Sequence, residues 1–438
     1  MKNEMLSEKK LPPGEGLIDF AFPDETLPML LEKFHRHGDI YKLNSTRSDA
    51  WTYVVSHPDL LRHVLSTNYR NYRKGVGIEV VNILLGRGLM VSEGDLWKRQ
   101  RKMIQPMFHR SVLERFTALM SRCSRKVISA WQEKQRTGEV IDITEEMSQV
   151  TLNFILYALF SEDLDRLIEQ QGNNPFSIVA EESARNLQFA RRFRALSGLV
   201  KDMVAARQSE ERRPFDLLSM MIDARDKQTG EPMPEKQLID EVLTAVVAGH
   251  ETTASALNWT WYMISQHPEV GERLQQEAAG VLGGREPTAA DINHLSYTRQ
   301  VIEESMRLYP PGWLLTRRAL GEDEIGGYYV PPGTDLFISP YIVHRHPQFW
   351  EDPERFRPER FVPEEAAERP QGAYLAFSMG PRNCIGEAMA MQEMIIHISM
   401  VSQQLRLALI PDQPVEIEAK VNLRPKHHLY MKPEALHR

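Results

Sequence analysis

Cysteine is scarce: the 438 residues include only Cys123 and Cys384. At most one disulfide is open to such a pair, so no disulfide framework holds this fold, and both thiols suit a reducing cytoplasm. No uninterrupted apolar run reaches the roughly 18 residues that a membrane span needs. The opening stretch, Met1-Lys-Asn-Glu-Met-Leu-Ser-Glu-Lys-Lys, is charged and lacks the apolar segment of an export signal, so neither export nor a membrane anchor is expected. Repeats, low-complexity tracts and breaks in composition are also missing, which excludes solenoids and disordered arrays. The net charge of −7 is moderate and comes from interspersed acids and bases, an argument against nucleic acid as the principal partner.

What is present suits one large core, because 42% of the residues are apolar. The simplest reading is a single domain over residues 1–438, with 1–39 as a tail wrapping its body. Apolar residues recur at helical spacing from Ser111 to about Gln135, from Ile143 to about Phe160, and over 177–209 and 214–226. The longest such stretch, Glu235 to Gln266, contains no proline, and its 32 residues would span about 48 Å as a helix. Further helices are expected after Asp95, after Pro268, over 289–308 and from about Gly386. Alternating residues predict a hairpin from Ile40–Leu43 and Trp51–Val55, and short strands over 314–320, 328–330, 335–339 and up to residue 432. Residues 68–94 show no sustained period and read as a long irregular loop; residues 344–376 read as a meander rich in proline and charge. The expected fold class is mainly α with a small β part.

The most informative stretch is Phe377-Ser-Met-Gly380-Pro-Arg382-Asn-Cys384-Ile385-Gly386. A thiolate stays ionised near backbone N–H groups and positive charge, and this loop offers both. Gly380 reaches backbone conformations closed to other residues, Gly386 admits a close neighbour, and Arg382 is permanently charged. A helix starting near Gly386 adds a positive dipole end. Cys384 is therefore a candidate metal-ligating thiolate, against the plainer reading of a structural cysteine in a turn. Five fixed positions in this order, Phe-x-x-Gly-x-Arg-x-Cys-x-Gly, resemble the haem-binding loop of the cytochrome P-450 superfamily of haem-thiolate monooxygenases, in its soluble bacterial form.

Other segments fit the same resemblance. Ala248-Gly249-His250-Glu251-Thr252-Thr253 lies mid-way along the longest helix, where glycine costs about 1 kcal/mol relative to alanine. An adjacent acid and alcohol in apolar surroundings can deliver protons, and Thr252 can bond back to the Ala248 carbonyl. The segment resembles the family's oxygen-binding helix, which implies catalytic roles for Glu251 and Thr252, haem contacts for Ala248 and Gly249, and none for His250. Glu304 and Arg307 share a helix face, ordinarily a marginal ion pair. With Arg360 in Pro358-Glu-Arg360-Phe361 they resemble the family's second signature, which implies a buried triad bracing the Cys384 loop. Trp97 and Arg101, Arg317 and Arg382 are implied contacts of the haem propionates, with Arg318 a close rival of Arg317. Phe377, Gly380, Ile385 and Gly386 complete the implied cofactor contacts.

The resemblance implies haem b held by Cys384, O2 as co-substrate, and electrons from NAD(P)H through a ferredoxin or flavodoxin and its reductase. It implies oxidation of a hydrophobic small molecule in a pocket at Val247, Ala248, Trp313, Leu314, Leu315 and Leu423. The interval from Phe160 to Arg207 is short for the family's lid, which suits a large or carrier-bound substrate. A peroxygenase or oxidative-coupling enzyme on the same haem is the alternative; a haem sensor without turnover has no use for Glu251 beside Thr252. Lys98, Arg99, Lys102 and Arg110 form a basic run, either a solvated face or a dock for an acidic electron donor. The clusters His344-Arg-His346 and His427-His428 lack the spaced partners of a zinc site.

Overall fold

A computed structural model describes residues 9–18, 24–45, 51–180 and 187–436. Parts of the expected tail, of the turn in the expected hairpin and of the 177–209 helix lie outside these residues. The chain divides into two compact units, one made of Met1–Glu79, Glu303–Cys384 and Glu416–Lys426, the other of Val80–Ile302, Ile385–Val415 and His427–Arg438.

The first unit holds most of the β structure. Its largest sheet runs in the order Leu17–Ile18, Ile40–Ser45, Trp51–Val55, Asp335–Ile338, Leu315–Ala319, Tyr72–Lys74. The expected hairpin is there, antiparallel with Ile40 opposite Val55. Tyr53, Val55, Leu336, Ile338, Leu61, Val64 and Leu375 share one buried cluster under this sheet. The 1–39 segment carries more order than a tail: Thr26–His37 is a helix with Leu27, Leu30 and Phe34 buried, which is helical spacing in a sequence too short to reveal it alone. After the helix Pro58–Arg62 the chain makes one π-helical turn, His63–Thr67.

The second unit is helical. Its axis is the helix Glu235–Gln266, as expected, packed most extensively on Ile143–Phe160. Arg110–Thr137 ends at Gly138 in the left-handed region, φ 77°, as helices commonly do. Glu387–Ser402 is buried along nearly its whole length. Leu405–Leu409 pairs antiparallel with Tyr430–Ala435.

Three expectations are corrected. Within 68–94 the chain forms the strand Tyr72–Lys74 and the helix Ile78–Leu85; eight residues are too few for a period to stand out. The 289–308 helix begins only at Ser296, after a 3-10 turn Asp291–Asn293 in which Asp291 takes hydrogen bonds from Arg285 and Thr288. A helix at Asp163–Gln171 was not expected, its polar sequence hiding Leu164 and Leu167.

Candidate haem-thiolate site

Cys384 belongs to the first unit and is exposed, whereas Cys123 is buried in the second. Burial pushes the Cys123 thiol up to about 12, so it stays protonated and inert. The loop around Cys384 has a defined backbone. Cys384 N–H donates to the Phe377 carbonyl at 2.9 Å, and Asn383 N–H to the Gly380 carbonyl at 3.0 Å. Ser378 has φ 62° and Gly380 φ 72°. At Gly380 no other residue fits, because a Cβ there would collide with the carbonyl of Leu65 in the π-helical turn. Arg382 is half-buried. Gly386 is the N-cap of the helix Glu387–Ser402.

The charged residues behind this loop are closely joined. Glu304 and Arg307 are both fully buried; Arg307 Nε and Nη2 donate to the Glu304 carboxylate at 2.7 and 2.8 Å. Arg360 Nε reaches Glu304 at 3.3 Å, and the Arg357 amide donates to it at 2.8 Å. Arg307 also donates to the carbonyls of His344 (2.9 Å), Pro353 (2.7 Å) and Arg355 (3.1 Å). The i,i+3 pair is thus no surface bridge: it gathers the meander carbonyls around one guanidinium. Arg357, through its amide, and His344, through its carbonyl, are members that spacing could not reveal, since a backbone group leaves no mark in the sequence.

On the strand Leu315–Ala319, side chains alternate, and this separates the rival arginines. Arg318 is spent on Asp335, at 2.9 and 2.7 Å, leaving Arg317 on the opposite face. Trp313 and Leu423 are core residues: the Trp313 indole donates to the Lys420 carbonyl at 2.8 Å, and the Leu423 amide to the Pro311 carbonyl at 2.9 Å. Leu314 and Leu315 are half-buried.

In the second unit, the long helix exposes Ala248 and Thr252 in the midst of buried residues, with Val247, Gly249 and Glu251 half-buried. The Thr252 hydroxyl donates to the Ala248 carbonyl at 2.8 Å. A Cβ on Gly249 would stand 3.0 Å from Ile155, so glycine there lets the neighbouring helix approach. His250 turns away, its Nε2 3.0 Å from Ser148 Oγ, and burial lowers its pKa to about 4. Trp97 is buried and Arg101 half-buried on the helix Gly94–Ile104. The basic run is partly paired: on that helix Lys98 meets Asp95 at 2.9 Å and Arg99 meets Asp226 at 2.8 Å, and on the helix Arg110–Thr137 Arg110 meets Glu114 at 3.1 Å.

These features suit a flat thiolate-ligated group. Cys384 is exposed on its loop, and Ala248 and Thr252 are exposed on the long helix. Comparison with known proteins decides the family, since the cytochrome P450 family model matches residues 20–189 and 171–432. The chain belongs to the cytochrome P450 family. It is similar to cyclooctat-9-en-7-ol 5-monooxygenase of Streptomyces melanosporofaciens, 34% identical over 86% of this chain and 84% of that protein. Pentalenene oxygenase of Streptomyces avermitilis is 32% identical over 86% of each chain. The crystal structure of the cytochrome P450 CYP102L1 matches the fold with a TM-score of 0.86 at 24% identity, covering 98% of this chain and 100% of that one. The protein is accordingly a cytochrome P450 monooxygenase, of the haem-thiolate, O2-using family. Among the described residues no helix is long and apolar enough to cross a membrane, and no group of His, Cys, Asp and Glu could hold a separate metal ion.

Proposed function

We propose that this cytochrome P450 holds haem b through Cys384 and oxidises a hydrophobic small molecule, with electrons from a separate donor. The observation that carries this reading is the exposed Cys384 thiol on a loop whose turn admits only glycine at position 380. Phe377, Gly380, Ile385 and Gly386 would line the sulfur side; Trp97, Arg101, Arg317 and Arg382 would bind the propionates; Ala248 and Gly249 would lie against the opposite face. The bound group supplies dioxygen activation and transfer of one oxygen atom.

The remaining chemistry belongs to the chain. The Thr252 hydroxyl donates a hydrogen bond to the Ala248 carbonyl, so its oxygen keeps lone pairs to accept a hydrogen bond from the reacting group and orient it. Glu251, half-buried beside it, is the proton source. Val247, Ala248, Leu314 and Leu315 would form apolar walls that orient the substrate and exclude water, with the buried Trp313 and Leu423 as packing support. Relatives named for pentalenene and cyclooctat-9-en-7-ol support a carbon-rich, terpene-like substrate. A ferredoxin or flavodoxin, reduced from NAD(P)H through its reductase, would deliver electrons in the cytoplasm.

The test is the reduced carbon monoxide complex of the purified holoenzyme. Intact thiolate ligation gives the red-shifted Soret band, and Cys384→Ser abolishes it; a band that survives the substitution assigns the ligand elsewhere. Titration with cyclic hydrocarbons, read as a Soret shift, then finds the substrate class.

A further inference from the structure

His344 has no part in the chemistry above, yet it is fully buried and both ring nitrogens are engaged. The Leu375 amide donates to Nε2 at 2.7 Å, which makes Nε2 an acceptor. The ring proton therefore sits on Nδ1, which donates to the Arg307 carbonyl at 3.1 Å. Arg307 returns a bond from its side chain to the His344 carbonyl, at 2.9 Å. The ring stacks on Tyr374 with centroids 5.1 Å apart and planes 25° apart, and meets Trp350 edge-on at 6.4 Å. Burial and the neighbouring Arg307, Arg345 and Arg369 charges hold its pKa far below the usual histidine range, so the acceptor is never lost to protonation. Its neighbour His346 is committed elsewhere, 2.8 Å from Asp39.

From Leu375 the bonding continues into the cysteine loop. The Leu375 carbonyl accepts from Ser378 N–H at 2.9 Å, and the Phe377 carbonyl from Cys384 N–H at 2.9 Å. Ser378, between them, has φ 62°, a left-handed backbone that a residue with a side chain keeps only when its surroundings hold it. The Leu375 amide is one point at which this strained turn is tied to the helix bearing Glu304 and Arg307; the Tyr374 hydroxyl, which donates to the Glu303 carbonyl at 3.1 Å, is another.

We infer that His344 is a positioning residue for Cys384: one imidazole of fixed tautomer joins the Arg307 carbonyl to the Leu375 amide and so holds the start of the loop in register. The inference rests on Cys384 being the haem ligand. Its effect on the iron is indirect, through the loop backbone.

Three variants of the holoenzyme separate this role from simple packing. His344→Phe keeps a ring and loses both bonds; His344→Asn retains a donor near Nδ1; His344→Gln retains an acceptor near Nε2. The readout is the rate at which the reduced carbon monoxide complex loses its red-shifted band. In the Phe and Asn variants the band decays about tenfold faster than in the native protein, as one buried amide deprived of its acceptor implies. In the Gln variant the decay stays within about twofold of native, because the Leu375 bond survives. A Phe variant as durable as the native protein, or a Gln variant as labile as Phe, overturns the inference. If the Phe variant does not fold, the Asn and Gln pair carries the test alone. Absence of the band from the native holoenzyme would instead remove the Cys384 assignment, a different outcome from either.

Discussion

Thr252 and Gly380 show how much one side chain can be asked to do. The Thr252 hydroxyl is oriented by the Ala248 carbonyl, and alanine in its place removes both that bond and the proton-handling oxygen. Thr252→Ala is expected to keep oxygen consumption while product per O2 falls by about tenfold or more, a positioned acid–base group contributing about 10²–10⁴-fold; product yield against O2 uptake measures it. His250, one helix position from Glu251, is a separate case. It is neutral in the fold because burial lowers its pKa to about 4, while in the unfolded chain it titrates near 6.5. The unfolded state therefore binds the extra proton below pH 6.5, so stability is full above that pH and declines as pH falls towards 4. Urea unfolding of His250→Asn across this window should show a slope shallower by about 1.4 kcal/mol per pH unit than the native protein. Buried Glu393 acts with opposite sign, since burial raises its pKa and favours the folded state as pH falls.

At the scale of elements, the joint between the helix Ser296–Leu308 and the meander is the most consequential. A buried ion pair gains little over an apolar pair, but removing one partner strands a charge. Glu304→Gln leaves Arg307 and Arg360 without their shared carboxylate, and should cost about 3–5 kcal/mol of stability. Thermal melts of the holoenzyme check this, and loss of haem on heating should accompany the earlier melting. The π-helical turn His63–Thr67 is the other support, its Leu65 carbonyl set against Gly380. Asp323 secures that turn by accepting from His63 Nε2 at 2.9 Å, Asn68 Nδ2 at 2.9 Å and the Tyr72 hydroxyl. The Asp323 contacts were invisible in the sequence, because their partners lie some 250 residues apart along the chain.

For the whole molecule, charge is the property that an electron donor would meet. The basic run at Lys98–Lys102 looks strongly positive in sequence, but Asp95 and Asp226 offset two of its charges. The Lys98–Asp95 pair is exposed, hence weak and screened by salt, and Arg101 and Lys102 add further charge, so the pairing reduces a docking field without cancelling it. Reversal of Lys98, Arg99 and Lys102 to glutamate should raise the apparent KM for a ferredoxin several-fold at low ionic strength, the difference shrinking as salt is added. Steady-state reduction kinetics across a salt series check it; a KM unchanged at low salt removes this face as the dock.

The sequence by itself determined the parts whose signals are local. Periodicity over 32 residues gave the bounds of the long helix, alternation gave the 40–55 hairpin, and five fixed positions in the 377–386 loop pointed to a ligating cysteine. Tertiary structure decided what depends on residues distant in the chain. It paired Arg318 with Asp335, placed Trp313 and Leu423 in the core, and showed the basic run to be partly paired. It also turned His344 from an idle metal candidate into a bridge between Arg307 and Leu375. Backbone partners carry no residue-type signature, so only folding could bring them into view.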